Sequence, residues 1–267
     1  MTPFEYRRAS RVADAVAWLR ETPDAKLLAG GQSLLAAMKL GLAAPPLLID
    51  LGRVTELRAL RDDGAHLWIG AMCTHAAVAA SPLVRARLPG LARLASGIAD
   101  QQVRNRGTLG GSVSNADPAA CWPAGVLACG ATLVTDRREM AADDFFQGLF
   151  ATALEPDEVL LGVRFPVPDR LCYAKFEQPA SRFAITGVAV ARTASGVRVA
   201  ITGLGHGPCR WPQAEAALAQ RFAPVALHAL TPDADRAAGD LHASAEYRLH
   251  LAGVLARRAV QNMVLSS

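Results

Sequence analysis

The sequence predicts a mixed α+β protein built from three consecutive parts. With 267 residues, of which 51% are hydrophobic, the chain is long enough to form more than one compact core. Strand-like apolar runs alternate with helical patterns over much of the chain, and a pair of strands followed by helices completes it. The three parts are predicted over residues 1–55, 56–168 and 169–267.

The first part has the pattern of a small α/β unit. Ser10 precedes apolar residues at helical spacing and is a suitable N-cap, and a glycine pair, Gly30 and Gly31, separates a strand-like run from a second helical pattern. The predicted elements are a helix from Ser10 to Thr22, a strand over 26–29, a helix over 33–40 and a strand over 47–51.

The second part mixes alternating and helical patterns and ends at the prolines Pro166 and Pro168, which cannot continue a helix. Its predicted elements are a strand over 66–70, a helix beginning at Thr74, helices over 88–99 and 124–130, and a strand over 132–135. The third part is predicted to hold a hairpin of strands 183–191 and 197–203, joined at Ala194-Ser195-Gly196, and helices over 213–220 and 245–264.

Composition and motif content exclude several classes of protein. The net charge of +4 comes from basic residues spread along the chain, which does not indicate nucleic-acid binding. None of the five cysteines forms a C-x-x-C, and the six histidines lack ligand spacing, so we expect no metal site. The amino terminus lacks a signal-peptide pattern and no apolar run is long enough for a membrane span, so we expect a cytoplasmic protein.

Two glycine pairs are the most informative motifs. Gly30-Gly31 and Gly110-Gly111 each occur where an apolar run gives way to polar residues, and a residue without a side chain lets backbone N–H groups approach an anion. Neither segment is a G-x-G-x-x-G, and the chain has no Gly-Lys dipeptide. The pairs therefore predict a phosphate cradle of neither the Rossmann nor the P-loop kind.

The surroundings of the second pair hold no obvious catalytic group. Ser112 and Asn115 are uncharged donors suited to a ligand, whereas Asp117 is predicted to cap a helix that has Pro118 in its first turn. We identify no catalytic residue, nucleophile or acid–base pair. The sequence thus predicts a site for an anionic ligand but no catalytic side chains. This combination favours a protein in which a bound redox cofactor carries out the chemistry.

Three ordered segments resemble the FAD-binding medium subunit of molybdenum-containing hydroxylases, the family of the carbon monoxide, nicotine and caffeine dehydrogenases, related to the FAD domain of xanthine dehydrogenase. They cover residues 29–34 (AGGQSL), 98–111 (IADQQVRNRGTLGG) and 115–120 (NADPAA). Residues 173–176, 181–184 and 243–248 also resemble the family pattern, so the resemblance extends over nearly the whole chain.

The resemblance implies a flavin-binding fold of the vanillyl-alcohol-oxidase (PCMH) type in two subdomains, followed by a C-terminal domain with a three-stranded sheet and helices. The two glycine segments would clasp the FAD pyrophosphate, while Leu160 or Leu161, Lys175 and Phe183 would approach the flavin ring. The residues implied to bind FAD are Leu28, Ala29, Gly30, Gly31, Gln32, Ser33, Leu34, Thr108, Leu109, Gly110, Gly111, Ser112, Asn115, Cys121, Leu160, Leu161, Lys175 and Phe183.

The resemblance also implies partners. A large subunit would hydroxylate the substrate at a molybdenum–pterin cofactor, and a small subunit would pass electrons through two iron–sulfur clusters. The FAD of this chain would pass those electrons to an external acceptor. The expected assembly is a dimer of heterotrimers.

Two positions depart from the family pattern. Cys121 stands where many members have an acidic residue that hydrogen-bonds the ribityl chain, and Ser112 stands where asparagine is common. Since a thiol is a weak donor and acceptor, we expect FAD to lose about one hydrogen bond, roughly 0.5–1.5 kcal/mol. Two alternatives stay open: a self-sufficient flavin oxidoreductase of the same superfamily, and a non-enzymatic binding protein that has lost the flavin.

Overall fold

The computed structural model describes residues 2–265, and the first part of the chain forms a three-stranded parallel sheet with two helices. The sheet order is β1-β3-β2. The elements are β1 (Glu5–Arg8), α1 (Val12–Glu21), β2 (Lys26–Leu28), α2 (Leu34–Lys39) and β3 (Leu47–Asp50).

The first part differs from prediction at its amino-terminal end. The mostly exposed β1 has no apolar alternation and is recognisable only through its pairing with β3. The prediction of Ser10 as N-cap is wrong: α1 begins at Val12 with Arg11 as its N-cap. The reason is Asp14, whose carboxylate accepts the N–H groups of Ser10 (3.1 Å) and Arg11 (2.9 Å).

The middle part is an antiparallel sheet with helices packed against it. The sheet strands are β4 (Leu60–Asp62), β5 (His66–Gly70), β6 (Thr132–Thr135), β7 (Glu139–Ala141) and β10 (Leu160–Pro166), in the order β4-β5-β10-β6-β7. A small hairpin of β8 (Phe146–Gly148) and β9 (Ala151–Thr152) lies outside this sheet. The helices are α3 (His75–Ala80), α4 (Pro82–Arg87), α5 (Pro89–Ser96), α6 (Gln101–Arg106), α7 (Leu109–Asn115), α8 (Cys121–Ala128) and α9 (Ala142–Phe145).

One expected helix start in the middle part is wrong. Asp117 does not cap α8, which begins at Cys121 after the N-cap Ala120. The Asp117 carboxylate instead accepts the N–H of Ala119 at 2.8 Å, a local turn that ends before the helix. Helix α8 is buried along its whole length, so packing rather than an amphipathic pattern stabilises it.

The C-terminal part is a second antiparallel sheet covered by helices. Its elements are β11 (Arg170–Glu177), β12 (Ala184–Thr193), β13 (Gly196–Thr202), β14 (Cys209–Arg210), α10 (Pro212–Gln220) and α11 (Ala245–Leu265). The hairpin predicted at Ala194-Ser195-Gly196 joins β12 to β13, with Ala194 and Ser195 between the two strands. The sheet has three long strands, as expected, and the two-residue β14 adds a fourth that is too short to produce a sequence pattern.

The C-terminal sheet is hydrogen-bonded to the segment before α8. The Thr202 hydroxyl lies 2.6 Å from the carbonyl oxygen of Pro118 and 2.8 Å from that of Ala120. The N–H of Gly203 also donates to the Pro118 carbonyl. The end of β13, in the C-terminal part, thereby fixes the position of the start of α8. Within residues 2–265, no helix is long and apolar enough to cross a membrane.

A buried carboxylate stabilises the middle part and makes its stability depend on pH. The Glu158 side chain is fully buried and accepts hydrogen bonds from Arg138 (2.7 Å) and Thr135 (2.7 Å). The hydrogen bonds from Arg138 lower the pKa of Glu158 from 4.5 to about 2.

Replacing Glu158 with glutamine should lower the free energy of unfolding by about 1–3 kcal/mol near neutral pH, because an amide N–H₂ would face the Arg138 donors. Since the native pKa lies below the unfolded one, the carboxylate stabilises the fold above pH 4.5, and this contribution is lost as the pH falls toward 2. Urea titrations across this range should show the difference from wild type shrinking on acidification. The exposed E155Q variant serves as control, and a difference that does not change with pH would contradict the assignment.

Candidate functional site

A cleft of about 680 Å³ lies between the first two parts of the chain, and both glycine pairs line it. The β2–α2 loop and the start of α7 form one region of its wall, and the loop between β11 and β12 contributes residues 180–183. The two segments predicted to form one cradle are therefore brought together.

The first glycine segment offers a row of free donors. Gly30, Gly31, Gln32 and Ser33 have backbone N–H groups that donate to no acceptor within residues 2–265, and all four line the cleft. A Cβ on Gly30 would lie 2.7 Å from the carbonyl carbon of Arg106 and from the Gly107 Cα. Only glycine lets the loop pack this closely against the end of α6, and the loop in turn presents its N–H groups as an anion-binding concavity.

The second glycine pair differs from expectation because it lies in the first turn of a helix. The Thr108 hydroxyl accepts the N–H of Gly111 at 3.0 Å, and the N–H of Gly110 donates to the Ala71 carbonyl at 2.8 Å. A Cβ on Gly110 would lie 2.5 Å from that of Ala71. Both N–H groups already have acceptors within the protein. This pair therefore gives a ligand room in the cleft but no free backbone donors.

Most of the predicted cofactor-binding residues line the cleft. These are Ala29, Gly30, Gly31, Gln32, Ser33, Leu34, Thr108, Gly110, Gly111, Ser112, Asn115, Cys121, Leu160 and Phe183. The remaining ones, Leu28, Leu109, Leu161 and Lys175, do not line it. Of the two leucines expected near the flavin, the structure places Leu160 at the cleft and packs Leu161 against the core of the first part.

Lys175 shapes the cleft without lining it. Its ammonium group donates to the carbonyl oxygens of Gly97 (2.7 Å) and Arg182 (2.5 Å) and lies 3.4 Å from Glu177. The lysine therefore ties the end of α5 to the loop that carries Phe183. Phe183 is 45% exposed and forms part of the rim.

A buried histidine at the cleft was not predicted. His75 is 5% exposed, and its Nδ1 accepts the indole N–H of Trp122 at 3.0 Å. Burial, with a smaller contribution from Arg104, lowers the pKa of His75 to about 4. The imidazole is thus neutral at physiological pH, with its proton on Nε2. A single histidine in the sequence does not indicate that its side chain will be buried and neutral at the cleft.

The acidic residues of the cleft are engaged in local structure. Asp100 caps α6 by accepting the N–H of Val103 at 2.8 Å. Burial raises the pKa of Asp117, whose carboxylate accepts the N–H of Ala119. Lys26 and Arg182 also line the cleft and supply positive charge. The arrangement suits a long ligand with a diphosphate group near the first glycine segment.

Family comparisons cover almost all of the chain. Residues 2–168 match the family described as the FAD binding domain in molybdopterin dehydrogenase. Residues 172–263 match the CO dehydrogenase flavoprotein C-terminal domain.

Individual relatives and solved structures of this family also match the chain over nearly its whole length. The chain is 38% identical to the carbon monoxide dehydrogenase medium chain of Hydrogenophaga pseudoflava and 36% identical to the nicotine 6-hydroxylase medium subunit of Paenarthrobacter nicotinovorans, over 96% of both chains in each case. It superposes on carbon monoxide dehydrogenase from H. pseudoflava with a TM-score of 0.90, 40% identity and coverage of 98% and 97% of the two chains. Quinoline 2-oxidoreductase from Pseudomonas putida gives 0.89 at 29% identity, over 100% and 99%. The chain belongs to the FAD-binding medium subunits of the molybdenum-containing hydroxylases.

Proposed function

We propose that this chain is the electron-transfer subunit of a heterotrimeric molybdenum hydroxylase. It takes electrons from an iron–sulfur subunit and passes them from its FAD to an external acceptor. Substrate hydroxylation takes place on a partner subunit that carries the molybdenum–pterin cofactor. The observation that carries the proposal is the cleft in which four consecutive free N–H groups face space for a diphosphate.

The residues of the cleft fit FAD. The unpaired N–H groups of residues 30–33 match the acceptors of a pyrophosphate, and the close approach at Gly30 holds the loop in place for it. The cleft continues from this cradle to Cys121, Leu160 and Phe183, which suit a ribityl chain and a ring system. Bound FAD supplies the redox group, and the chain binds, orients and shields it.

Specific roles follow from this placement. The cleft-lining residues of the two glycine segments hold the pyrophosphate, while Ser112, Asn115 and Cys121 face the ribityl chain. Leu160 and Phe183 contact the flavin end, and Lys175 positions the Phe183 loop through its carbonyl contacts. Leu109 and Leu161 act through packing behind the cleft, and the Leu28 side chain lies next to Gly31.

The proposal extends to organisation and assembly. Residues 1–55 and 56–168 are the two FAD-binding subdomains, and residues 169–267 are the C-terminal domain. Two heterotrimers associate into a dimer. We also assign the protein to the cytoplasm, which the five free thiols support.

The test is co-expression with candidate large and small subunits, followed by native purification. We expect a yellow complex that contains FAD, molybdenum and iron, and whose flavin is bleached by substrate and recovers with an added acceptor. A colourless chain that cannot be reconstituted with FAD would support the non-enzymatic alternative. A stable monomer whose flavin is reduced by substrate without partners would instead support the self-sufficient oxidoreductase.

Replacing Cys121 with aspartate should retain or tighten FAD. Cys121 is 5% exposed in the first turn of α8, and the buried Tyr173 hydroxyl lies against its thiol without a good acceptor. A carboxylate would accept from Tyr173 and from a ribityl hydroxyl, and it is favoured near a helix N-terminus. We expect FAD affinity to rise about twofold to tenfold, equivalent to roughly 0.5–1.5 kcal/mol.

Fluorescence titration of the flavin-free protein with FAD measures this change. The C121S variant is the matched control, because serine adds a hydroxyl without a charge and should have a smaller effect. The Y173F change on the C121D background should remove part of the gain. A large loss of flavin in C121D would show that residue 121 does not face the ribityl chain.

A further inference from the structure

A second cavity, of about 300 Å³, lies at the carboxyl ends of the parallel strands β1 and β3. Arg8 ends β1 and Asp50 ends β3, and both line this cavity. Ala29, Met72 and Thr108 line it as well as the FAD cleft, so the two cavities adjoin and share part of a wall. Crevices at the carboxyl ends of parallel strands are frequent ligand sites.

The cavity carries an excess of positive charge. Arg8, Arg53, Arg58 and Arg106 line it, against a single carboxylate, Asp50. That carboxylate is fully engaged, since it accepts hydrogen bonds from Tyr6, from Arg8 at 3.1 Å and from the N–H of Gly52 at 2.7 Å.

The other guanidinium groups lack acidic partners. Within residues 2–265, Arg53 and Arg106 form no hydrogen bond or ion pair through their side chains. Among the same residues, the Arg58 side chain donates only to the carbonyl oxygen of Gly52, at 3.0 Å. Three exposed guanidinium groups therefore surround one concave site without an acidic partner among residues 2–265, and an anion that enters the site would meet unpaired positive charge.

The uncharged polar groups of the cavity also present donors. The hydroxyls of Thr74 and Thr108 accept backbone N–H groups from Ala77 (3.1 Å) and Gly111 (3.0 Å), so each keeps its own proton to donate. The Asn105 carbonyl accepts from Gln101 at 2.7 Å, which leaves its N–H₂ group free. The lining thus combines guanidinium forks with neutral donors.

We propose that this cavity binds a phosphate-bearing anion of the diphosphate class, at a site separate from the FAD pyrophosphate. A single carboxylate would neutralise only one of the three uncompensated arginines, whereas a diphosphate matches both their charge and their planar donor geometry. Free inorganic diphosphate and the diphosphate of a nucleotide share this chemistry. The proposal goes beyond the electron-transfer function and does not depend on it.

The test is isothermal titration calorimetry on the FAD-loaded protein at low salt, with inorganic diphosphate in one arm and ADP in the other. In the variant R53M/R106M, we expect diphosphate affinity to fall about tenfold or more, while the flavin absorbance stays that of wild type. The control R221M removes the same kind of charge from an exposed site outside the cavity and should leave affinity unchanged. Tighter binding of ADP than of diphosphate would identify a nucleotide as the natural source, and equal binding would identify the free anion.

Two results would overturn the proposal. The first is the absence of binding in both arms, or binding that R53M/R106M leaves unchanged. The second is release of FAD as diphosphate is added, which would place the anion in the FAD cleft instead. Because the flavin absorbance is recorded throughout, a failure of this site is distinguishable from a failure of FAD binding.

Discussion

Replacing Gly30 with alanine should abolish FAD retention. The new Cβ would lie 2.7 Å from the Arg106 carbonyl carbon and from the Gly107 Cα, and closer still to the Arg106 oxygen. These are backbone atoms, so no side chain can rotate away, and the first glycine loop must move off the end of α6. Such overpacking costs about 3 kcal/mol, equivalent to about a hundredfold loss of FAD affinity.

The measurement is flavin content after purification, together with FAD titration of the flavin-free protein. Gly253→Ala is the matched control, because that glycine lies within α11 and a Cβ there would meet only ordinary contacts, beginning at 3.4 Å. The control should keep its flavin and be equally or slightly more stable. Normal flavin content in G30A would show that the glycine loop does not position the pyrophosphate.

Replacing Arg248 with methionine should strongly destabilise the C-terminal part. Arg248 is 5% exposed near the start of α11, donates to the carbonyl oxygens of Ile185 and Gly203, and lies 2.6 Å from Asp240. Methionine preserves the length of the side chain but leaves both carbonyls without this donor. We expect the free energy of unfolding to fall by about 2–4 kcal/mol, since Asp240 can rehydrate at the surface and the buried carbonyls cannot.

Urea denaturation followed by circular dichroism measures the change. The R258M variant is the control, because Arg258 lies on the same helix, is exposed and has no hydrogen bond or ion pair within the described chain. It should differ from wild type by less than about 0.5 kcal/mol. Equal stabilities of R248M and R258M would mean that the buried arginine contributes little to the packing of α11.

Sequence patterns predicted the features that depend on neighbouring residues. The hairpin at Ala194-Ser195-Gly196 was predictable because a turn signal separates two β-rich runs, and Gly196 has a φ of +130°. The glycine segments were recognisable because glycine permits backbone approach wherever it occurs. Neither segment alone indicates which other segment lies near it in space. The family resemblance supplied the expectation that both would line one FAD site.

The features that sequence reasoning missed depend on contacts between distant residues. Strand β1 has no pattern of its own and forms by pairing with β3. His75 is kept neutral by burial and accepts a hydrogen bond from Trp122 on a different helix, and both depend on packing between distant parts of the chain. Lys175 is expected near the flavin from its position in a family motif, and this stays a prediction. Its hydrogen bonds to the carbonyl oxygens of Gly97 and Arg182 are contacts that no sequence pattern indicates.

The contacts of Thr202 with Pro118 and Ala120 have a consequence for how the protein is made. The start of α8 is fixed by β13 of the C-terminal part, and the cleft wall is completed by residues 180–183. A nascent chain therefore has no finished flavin site until β13 has left the ribosome. Loading of FAD therefore requires synthesis at least through β13, and products that terminate before this strand should be colourless.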